Sequence, residues 1–450
     1  MSEKTYKNVM LLIAHDWSPI AGCYGNDVIQ TPRIDAFARE GVVFDHGFCT
    51  TPTCSASRAT LLTGQYTHTN GHYGHCHSIH GFSTHEWLTS IPKDLRDAGF
   101  ATGLIGTSHV APPSVYPFEY EPKVKAGDPK ELAAHALKFL NENADRPFYL
   151  HVGYSHVHRH GDGFGNEEPF DDLPDTIYDP ADVVVPDWLP DAPLVREDLA
   201  EYYRAITRFD AGVGLLLDAL AESGRADDTL VILTSDHGMP FPGAKATSFE
   251  SGHHCPLIIR KPDAENPCIH SSALVNWIDI RPTVQDWAGV EPSEKLPGRS
   301  LVPILGMTAP EGWDETFYSH CFHEVIDYNP YRVLRGRRYK FVQNLAAGLP
   351  YMLPTDLFRS KTWRAVQEGD LEMMGKRPTA RVLNHDREAL YDLEADPMET
   401  TNRIDDADLK EIADGMRQRL YAFRQATRDP WLEVDFQEGR LPESPGPEVR

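Results

Sequence analysis

The chain has 450 residues, 41% of them hydrophobic and 24% charged, and a formal net charge of −24. Such a length suits one large domain with a satellite, or a few domains. The acidic balance argues against a nucleic-acid partner and against a polyanion lying along an open surface, so an anionic substrate needs a local positive pocket in a negative body.

No apolar run approaches the roughly 18 residues that would cross a membrane. The opening "MSEKTYKNVMLLIAHD" enters a strand-like apolar run at once and shows no signal-peptide pattern. The seven cysteines (Cys23, Cys49, Cys54, Cys76, Cys255, Cys268 and Cys321) are odd in number, scattered and without C-x-x-C pairs. Both features set the expectation of a cytoplasmic protein with free thiols.

In chain order, "NVMLLIA" is a buried strand that ends on His15 and Asp16. "TPRIDAFAREG" follows as an amphipathic helix closed by Gly41. "CTTPTCSASRATLLTGQY" then places Cys54, Ser57 and Arg58 at a strand-to-helix transition. A cap from Ser55 or Ser57 is expected there, leaving free N–H groups to point at whatever lies beside Cys54. That is a setting for an activated nucleophile facing an anion. A C-x-x-x-R taken alone reads as a buried cysteine in a capped helix, so the rest of the chain has to decide.

"SIPKDLRDAGFATGLIG" and "ELAAHALKFLNENADRPFYLHVGYSH" each read as helix then strand. "REDLAEYYRAITRFDAGVGLLLDALAESG" is a long helix, and "DTLVILTSDHG" is again a strand ending on Asp236 and His237. Strands alternating with helices mean an α/β sheet with helices on both faces, and ligands gather beyond the carboxyl ends of such strands. Three strand ends deliver His15-Asp16, His156/His158 and Asp236-His237, which predicts one site at that edge.

From about residue 311 the pattern changes. "ETFYSHCF" and "YRVLRGRRYKFVQNL" read as antiparallel strands, the second a hairpin turning at Arg335-Gly336 whose arginines are expected on a solvated face. "ALYDLEADPMETTN" is another strand and turn, and a helix is expected from about Asp405 to Thr427. The expected division is 1–310 and 311–450, the second a smaller α+β unit built on an antiparallel sheet. The tail "EGRLPESPGPEVR" is expected to be loosely ordered or to wrap a neighbour, which leaves a homo-oligomer open.

Taken together these segments resemble the formylglycine-dependent sulfatases of the alkaline phosphatase superfamily. "CSASRATLLTG" is similar to the family signature, "AHD" and "TSDHG" fall at its two metal pairs, and "ALYDLEADPMETTN" at its C-terminal strand. "VYPFEY", "VHRHG", "YDPADVVVPDWLPDAP", "MPFPG" and "HEV" resemble the heparan N-sulfatase subgroup. The resemblance implies an alkaline-phosphatase-like sheet sandwiched by helices. It implies hydrolysis of a sulfate ester or sulfamate, on N-sulfoglucosamine or a related sulfated sugar or an aryl sulfate. Cys54 would be converted to formylglycine by a maturase, and its hydrate would attack sulfur and later expel sulfate by collapse to the aldehyde.

The same resemblance assigns roles. Arg58 would steady the hydrate, His15, Asp16, Asp236 and His237 would bind one divalent metal together with the modified Cys54, and His158, Lys245 and His109 would serve the sulfate and leaving group. Arg159, His323 and Glu324 fall where the subgroup contacts its sugar, and His80 is a candidate substrate-pocket residue. The run His72, His75, His77, His80 otherwise reads as loop rather than as a second metal site. Calcium is the metal the family implies. Histidine at 15 and 237, where many relatives have Asp and Asn, favours a transition ion such as manganese. Thr107 stands where the family has a lysine, and Ala56 in place of proline suits a radical, anaerobic maturase. Two other readings are a phosphonate monoester or phosphodiester hydrolase of the same superfamily, and a silent protein that binds sulfated glycans. The acidic body further predicts an exo-acting pocket for one terminal sugar.

Overall fold

The structure is a computed structural model that describes residues 7–432 apart from 168–169, 171, 263, 265–267 and 293. The tail beginning at Glu438 lies outside the described residues.

In chain order the main strands are β1 (Asn8–Ala14), β2 (Val42–Phe48), β3 (Ala101–Gly106), β4 (Phe148–Gly153), β5 (Thr229–Ser235), β6 (His254–Cys255), β7 (Leu257–Arg260) and β8 (Ile269–Asn276). They form one eight-stranded sheet in the order β3-β4-β1-β5-β7-β2-β6, with β8 paired to β2. The β3-β4-β1-β5 half is parallel, whereas β7 runs antiparallel to both β5 and β2. β1 and β5 are buried throughout, as expected of a sheet covered on both faces.

The covering helices are α1 (Pro32–Arg39), α2 (Cys54–Thr63), α3 (Ile91–Asp97), α4 (Pro129–Glu142), α5 (Pro193–Glu222) and α6 (Ile280–Ala288). α1, α4 and α5 pack with Met10, Leu12, Val152 and Val231 on one face. Leu61 and Leu62 of α2, α3 and α6 pack with Val9, Leu11 and Ile232 on the other. Alternate residues of β1 therefore serve opposite cores, the consequence of the two-residue period of a strand.

A second sheet contains β9 (Glu315–Phe322), β10 (Tyr328–Gly336), β11 (Tyr339–Asn344) and β12 (Glu388–Asp392), antiparallel in the order β12-β11-β10-β9. α7 (Lys361–Glu368) packs against α5, and α8 (Lys410–Ala426) covers the second sheet through Met416 and Leu420. Phe48 and Leu274 of the first sheet share a buried cluster with Tyr318, Tyr331 and Val333 of the second.

Two expectations are corrected here. The β10–β11 turn falls at residues 337–338, after the Arg335↔Lys340 pair, rather than at Arg335-Gly336. Three of the hairpin's cations are also not on a solvated face, whereas Arg337 and Arg338 of the turn are exposed. Arg332 is bound to Asp429 by two hydrogen bonds, and Arg335 pairs with Glu250. Lys340 pairs with Glu399 at 2.6 Å, and all three cations are buried. Arg335 and Lys340 lie on the face that packs with Val333 toward the first sheet, Arg332 lies on the opposite face under α8, and each carries its counter-ion inside.

Candidate active site

Register decides which residues meet. Ile13 of β1 pairs with Gly153 of β4 and with Thr234 of β5, and Ala14 pairs with Ser235. The next residues of β1 and β5 therefore leave the sheet side by side. The His15 N–H donates to His156 O at 3.0 Å, and the Asp16 N–H donates to Asp236 Oδ1 at 2.8 Å. Asp16 adopts a left-handed φ of 54°, which aspartate tolerates better than most residues. Tyr202 on α5 clamps this turn by donating to Asp16 O at 2.7 Å. Beyond β3 and β4 the backbones nearly touch, and a Cβ at Gly153 would lie 1.9 Å from Thr107 O, so only glycine fits.

Cys54 opens α2 at this edge, with Thr53 as its N-cap. The expected serine cap is absent. Ser55 Oγ faces His75 Nδ1 at 3.3 Å, and Ser57 Oγ donates to Asp236 O instead. Both hydroxyls tie the helix to neighbouring segments, while the bare first turn still presents its N–H groups to the site. Cys54 Sγ lies 3.2 Å from His237 Nε2 and 3.8 Å from Asp16 Oδ1. His237 Nδ1 is 2.9 Å from Gly238 O, a contact that aims Nε2 at Cys54 and Asp16.

The electrostatics are strong because everything is buried. Burial pushes the Cys54 thiol up, but Lys245 and His237 outweigh it and hold it well below the usual thiol range. Burial likewise raises Asp16 and Asp236, and their cationic neighbours override it to hold both well below the usual carboxylate range. For Asp16 those neighbours are Lys245, His237 and His158, and for Asp236 they are His15, His237 and Arg58. Against burial, Asp16 raises His158 to about 9. Lys245 bridges Asp16 at 3.1 Å and Asp356 at 2.7 Å, and Arg58 donates through Nε to Asp236 at 3.0 Å.

The donor set suits a divalent ion. Nitrogen, carboxylate and sulfur atoms of His15, Asp16, Cys54 and Asp236 lie within 4.8 Å of one another. His15 Nδ1 is buried without a hydrogen-bond partner among the described residues, although Asp236 Oδ2 stands 3.1 Å away. His237 completes the group through its 2.9 Å approach to Asp16.

This centre lies beside a cavity of about 450 Å³. His15, Thr107, His109, His158 and Lys245 line it together with His75, His77, His80, His323 and Glu324. Glu324 accepts hydrogen bonds from Thr355 and makes none with the arginine hairpin. Arg159 reaches the wall, but its guanidinium is bound to Asp198 through both terminal nitrogens and to Pro240 O through Nε. It also lies 4.6 Å from the ring centres of both Phe164 and Phe241. Asp356 was not foreseen, because nothing in "YMLPTDLF" distinguishes it until folding brings it to Lys245.

A family model described as Sulfatase matches residues 7–290, and one described as N-sulphoglucosamine sulphohydrolase, C-terminal, matches residues 244–351. The chain is 35% identical to human N-sulphoglucosamine sulphohydrolase, over 95% of this chain and 91% of that protein. It is 26% identical to an N-acetylglucosamine-6-O-sulfatase of Bacteroides thetaiotaomicron, over 72% of this chain and 75% of that one. A structure solved with its substrate D-glucosamine-2-N,6-O-disulfate superposes with a TM-score of 0.70 at 21% identity, covering 94% of this chain and 99% of that one. The phosphonate monoester hydrolase of Agrobacterium radiobacter also scores 0.70, at 22% identity over 94% and 96% of the two chains, and these two structures share the fold. With the expected motifs gathered at one sheet edge and these likenesses spanning it, the chain belongs to the sulfatase family, hydrolases of sulfate esters and sulfamates.

Proposed function

We propose that the protein removes sulfate from a single terminal glucosamine unit, N-sulfated in the first instance, and that Cys54 acts after conversion to formylglycine. The observation that carries this reading is Cys54 at the bare start of α2, 3.2 Å from His237 and beside the Asp16/Asp236 pair. The hydrated aldehyde would supply the nucleophile. His15, Asp16, Asp236 and His237 would hold one divalent ion, whose chemistry is Lewis-acid polarisation of the sulfuryl oxygens. The family implies calcium, and the two imidazoles make a transition ion such as manganese the alternative.

The remaining work falls to the chain's own groups. Lys245, pinned between two carboxylates, presents a fixed cation to the developing charge. His158, kept protonated to about pH 9 by Asp16, can give its proton to the departing amine or alkoxide. Arg58 holds Asp236 in place, and His80, His323 and Glu324 line the wall that would meet the sugar ring. A cavity of about 450 Å³ suits one sugar better than a chain.

Two measurements test the reading. Intact mass of the Cys54 peptide from active enzyme, produced with a radical-type maturase, should show formylglycine; only thiol would sink the mechanism. A panel of N-sulfoglucosamine, 6-O-sulfated glucosamine, aryl sulfate and aryl phosphodiester should favour the N-sulfated sugar. Preference for the phosphodiester would place the protein with the phosphonate hydrolases instead.

A further inference from the structure

Next to the Cys54 centre, the loop after α2 and the turn after β3 bring three imidazoles together. Ligand nitrogens of His75, His77 and His109 lie within 4.8 Å of one another. The rings of His77 and His109 stack at 4.6 Å, with His109 Nε2 2.9 Å from His77 Nδ1. His75 packs at 4.8 Å from His77, and its own Nδ1 is held by the Ser55 hydroxyl.

Tetrahedral bonds of about 2.0–2.1 Å place ligand nitrogens roughly 3.3 Å apart, so the cluster needs small side-chain shifts and no backbone rearrangement to close on an ion. His109 has a left-handed φ of 60°, an unfavourable conformation for a residue with a Cβ, and it points the ring at the other two. His109 Nδ1 is buried with no hydrogen-bond partner among the described residues. A neutral imidazole keeps one unprotonated ring nitrogen, and an ion bound here would replace the contacts of His77 Nδ1 with His109 Nε2 and of His75 Nε2 with His323 Nε2, 3.1 Å apart in the latter pair.

His75, His77 and His109 line the same cavity as Lys245, His158 and Arg359, so an ion held by the three imidazoles would add to the positive charge that an anionic substrate meets there.

We propose that His75, His77 and His109 form a second metal site, separate from the Asp16/Asp236 site. It would take a four-coordinate transition ion of the zinc type, with its fourth position open to an anionic oxygen of the substrate. Three histidines with an open position suit such an ion. Metal binding stands on this geometry alone, while the role toward substrate rests on the sulfatase reading.

The test uses the full chain with the metal of its first site retained, and Co²⁺ as the probe. Elemental analysis should show one additional equivalent, with the visible absorption of a four-coordinate ion. His77→Gln and His75→Gln should each lose that equivalent and that band, whereas Asp236→Asn should keep them. His77 is exposed, so its variant should melt with the parent and remain interpretable. No additional equivalent, or undiminished binding in both histidine variants, overturns the site. Inorganic sulfate should shift the band of the loaded parent, and a band indifferent to sulfate overturns the substrate role. Absence of sulfatase turnover in every metal form would instead count against the proposed function, leaving the Co²⁺ stoichiometry to stand by itself.

Discussion

Lys245 illustrates how burial turns a common side chain into a specific one. Its ammonium is buried between Asp16 and Asp356, and burial that would lower its pKa is outweighed by the two carboxylates, which hold it well above the usual lysine range. Removing it leaves two buried carboxylates without their shared partner. Lys245→Ala and His158→Ala should each lower kcat by roughly two to four orders of magnitude, the range for losing an electrostatic or acid group. Steady-state rates on aryl sulfate decide this, and losses below about tenfold in both would mean that other residues carry these roles. Asp356 acts through Lys245, so Asp356→Asn should give a smaller loss in kcat, and Asp356→Glu should partly restore it.

At the scale of elements, helix α5 serves several neighbours at once. Its Asp198 anchors Arg159, its Tyr202 clamps the Asp16 turn, and its Asp210 accepts the backbone N–H groups of Arg33 and Ile34 at the start of α1. Burial raises the Asp210 carboxyl to about 7 from its model-compound value of 3.8. The folded state therefore holds this proton more tightly than the unfolded chain. Its stabilising contribution is full below the unfolded value and is lost as pH rises through about 7. The melting temperature of the parent relative to Asp210→Asn should accordingly fall between about pH 5 and about pH 8. An unchanged difference would show that the group titrates alike in both states. A second element-level device is the Arg332–Asp429 pair, which fastens β10 to the segment after α8 with both side chains fully buried. Arg332→Ala should cost about 3–5 kcal/mol in denaturant unfolding, as breaking a buried pair does.

Across the whole molecule, the two sheets share one cluster through Phe48, Leu274, Tyr318 and Tyr331. The cavity in turn draws on residues from His15 to Arg359. We propose that the segments 1–310 and 311–450 are two structural units that unfold together because this cluster joins them. Calorimetry should show a single transition, and Tyr318→Ala should lower it by the equivalent of about 3–5 kcal/mol, the range for truncating a large buried aromatic. Two resolved transitions would separate the units. The net charge of −24 acts at this scale too, since it repels an extended polyanion while leaving a pocket with fixed cations intact. A long heparin fragment should therefore be trimmed only from its end, and internal cleavage would contradict the exo pocket.

The strands ending on His15-Asp16 and Asp236-His237, and the Cys54–Arg58 helix start, were legible in the sequence because each is a local pattern. An apolar run stops at polar residues, or a helical period begins, within a single element. The sheet covered by helices on both faces and its edge site followed from the alternation of such elements, whereas the antiparallel placing of β7 and β6 did not. What neighbours a side chain would have was not legible. Ser55 and Ser57 looked like caps, yet they bind His75 and Asp236 O. Arg159 looked free for a sugar, yet Asp198 from a distant helix holds it. Arg332 and Arg335 looked solvated, yet the segment after α8 buries the first with Asp429 and the contact between the sheets buries the second with Glu250. Asp356 and the His75/His77/His109 group acquire meaning only when loops far apart in the chain reach one cavity. Periodicity encodes which face of an element is apolar, but strand register and loop packing choose the partners, and those are properties of the assembled fold.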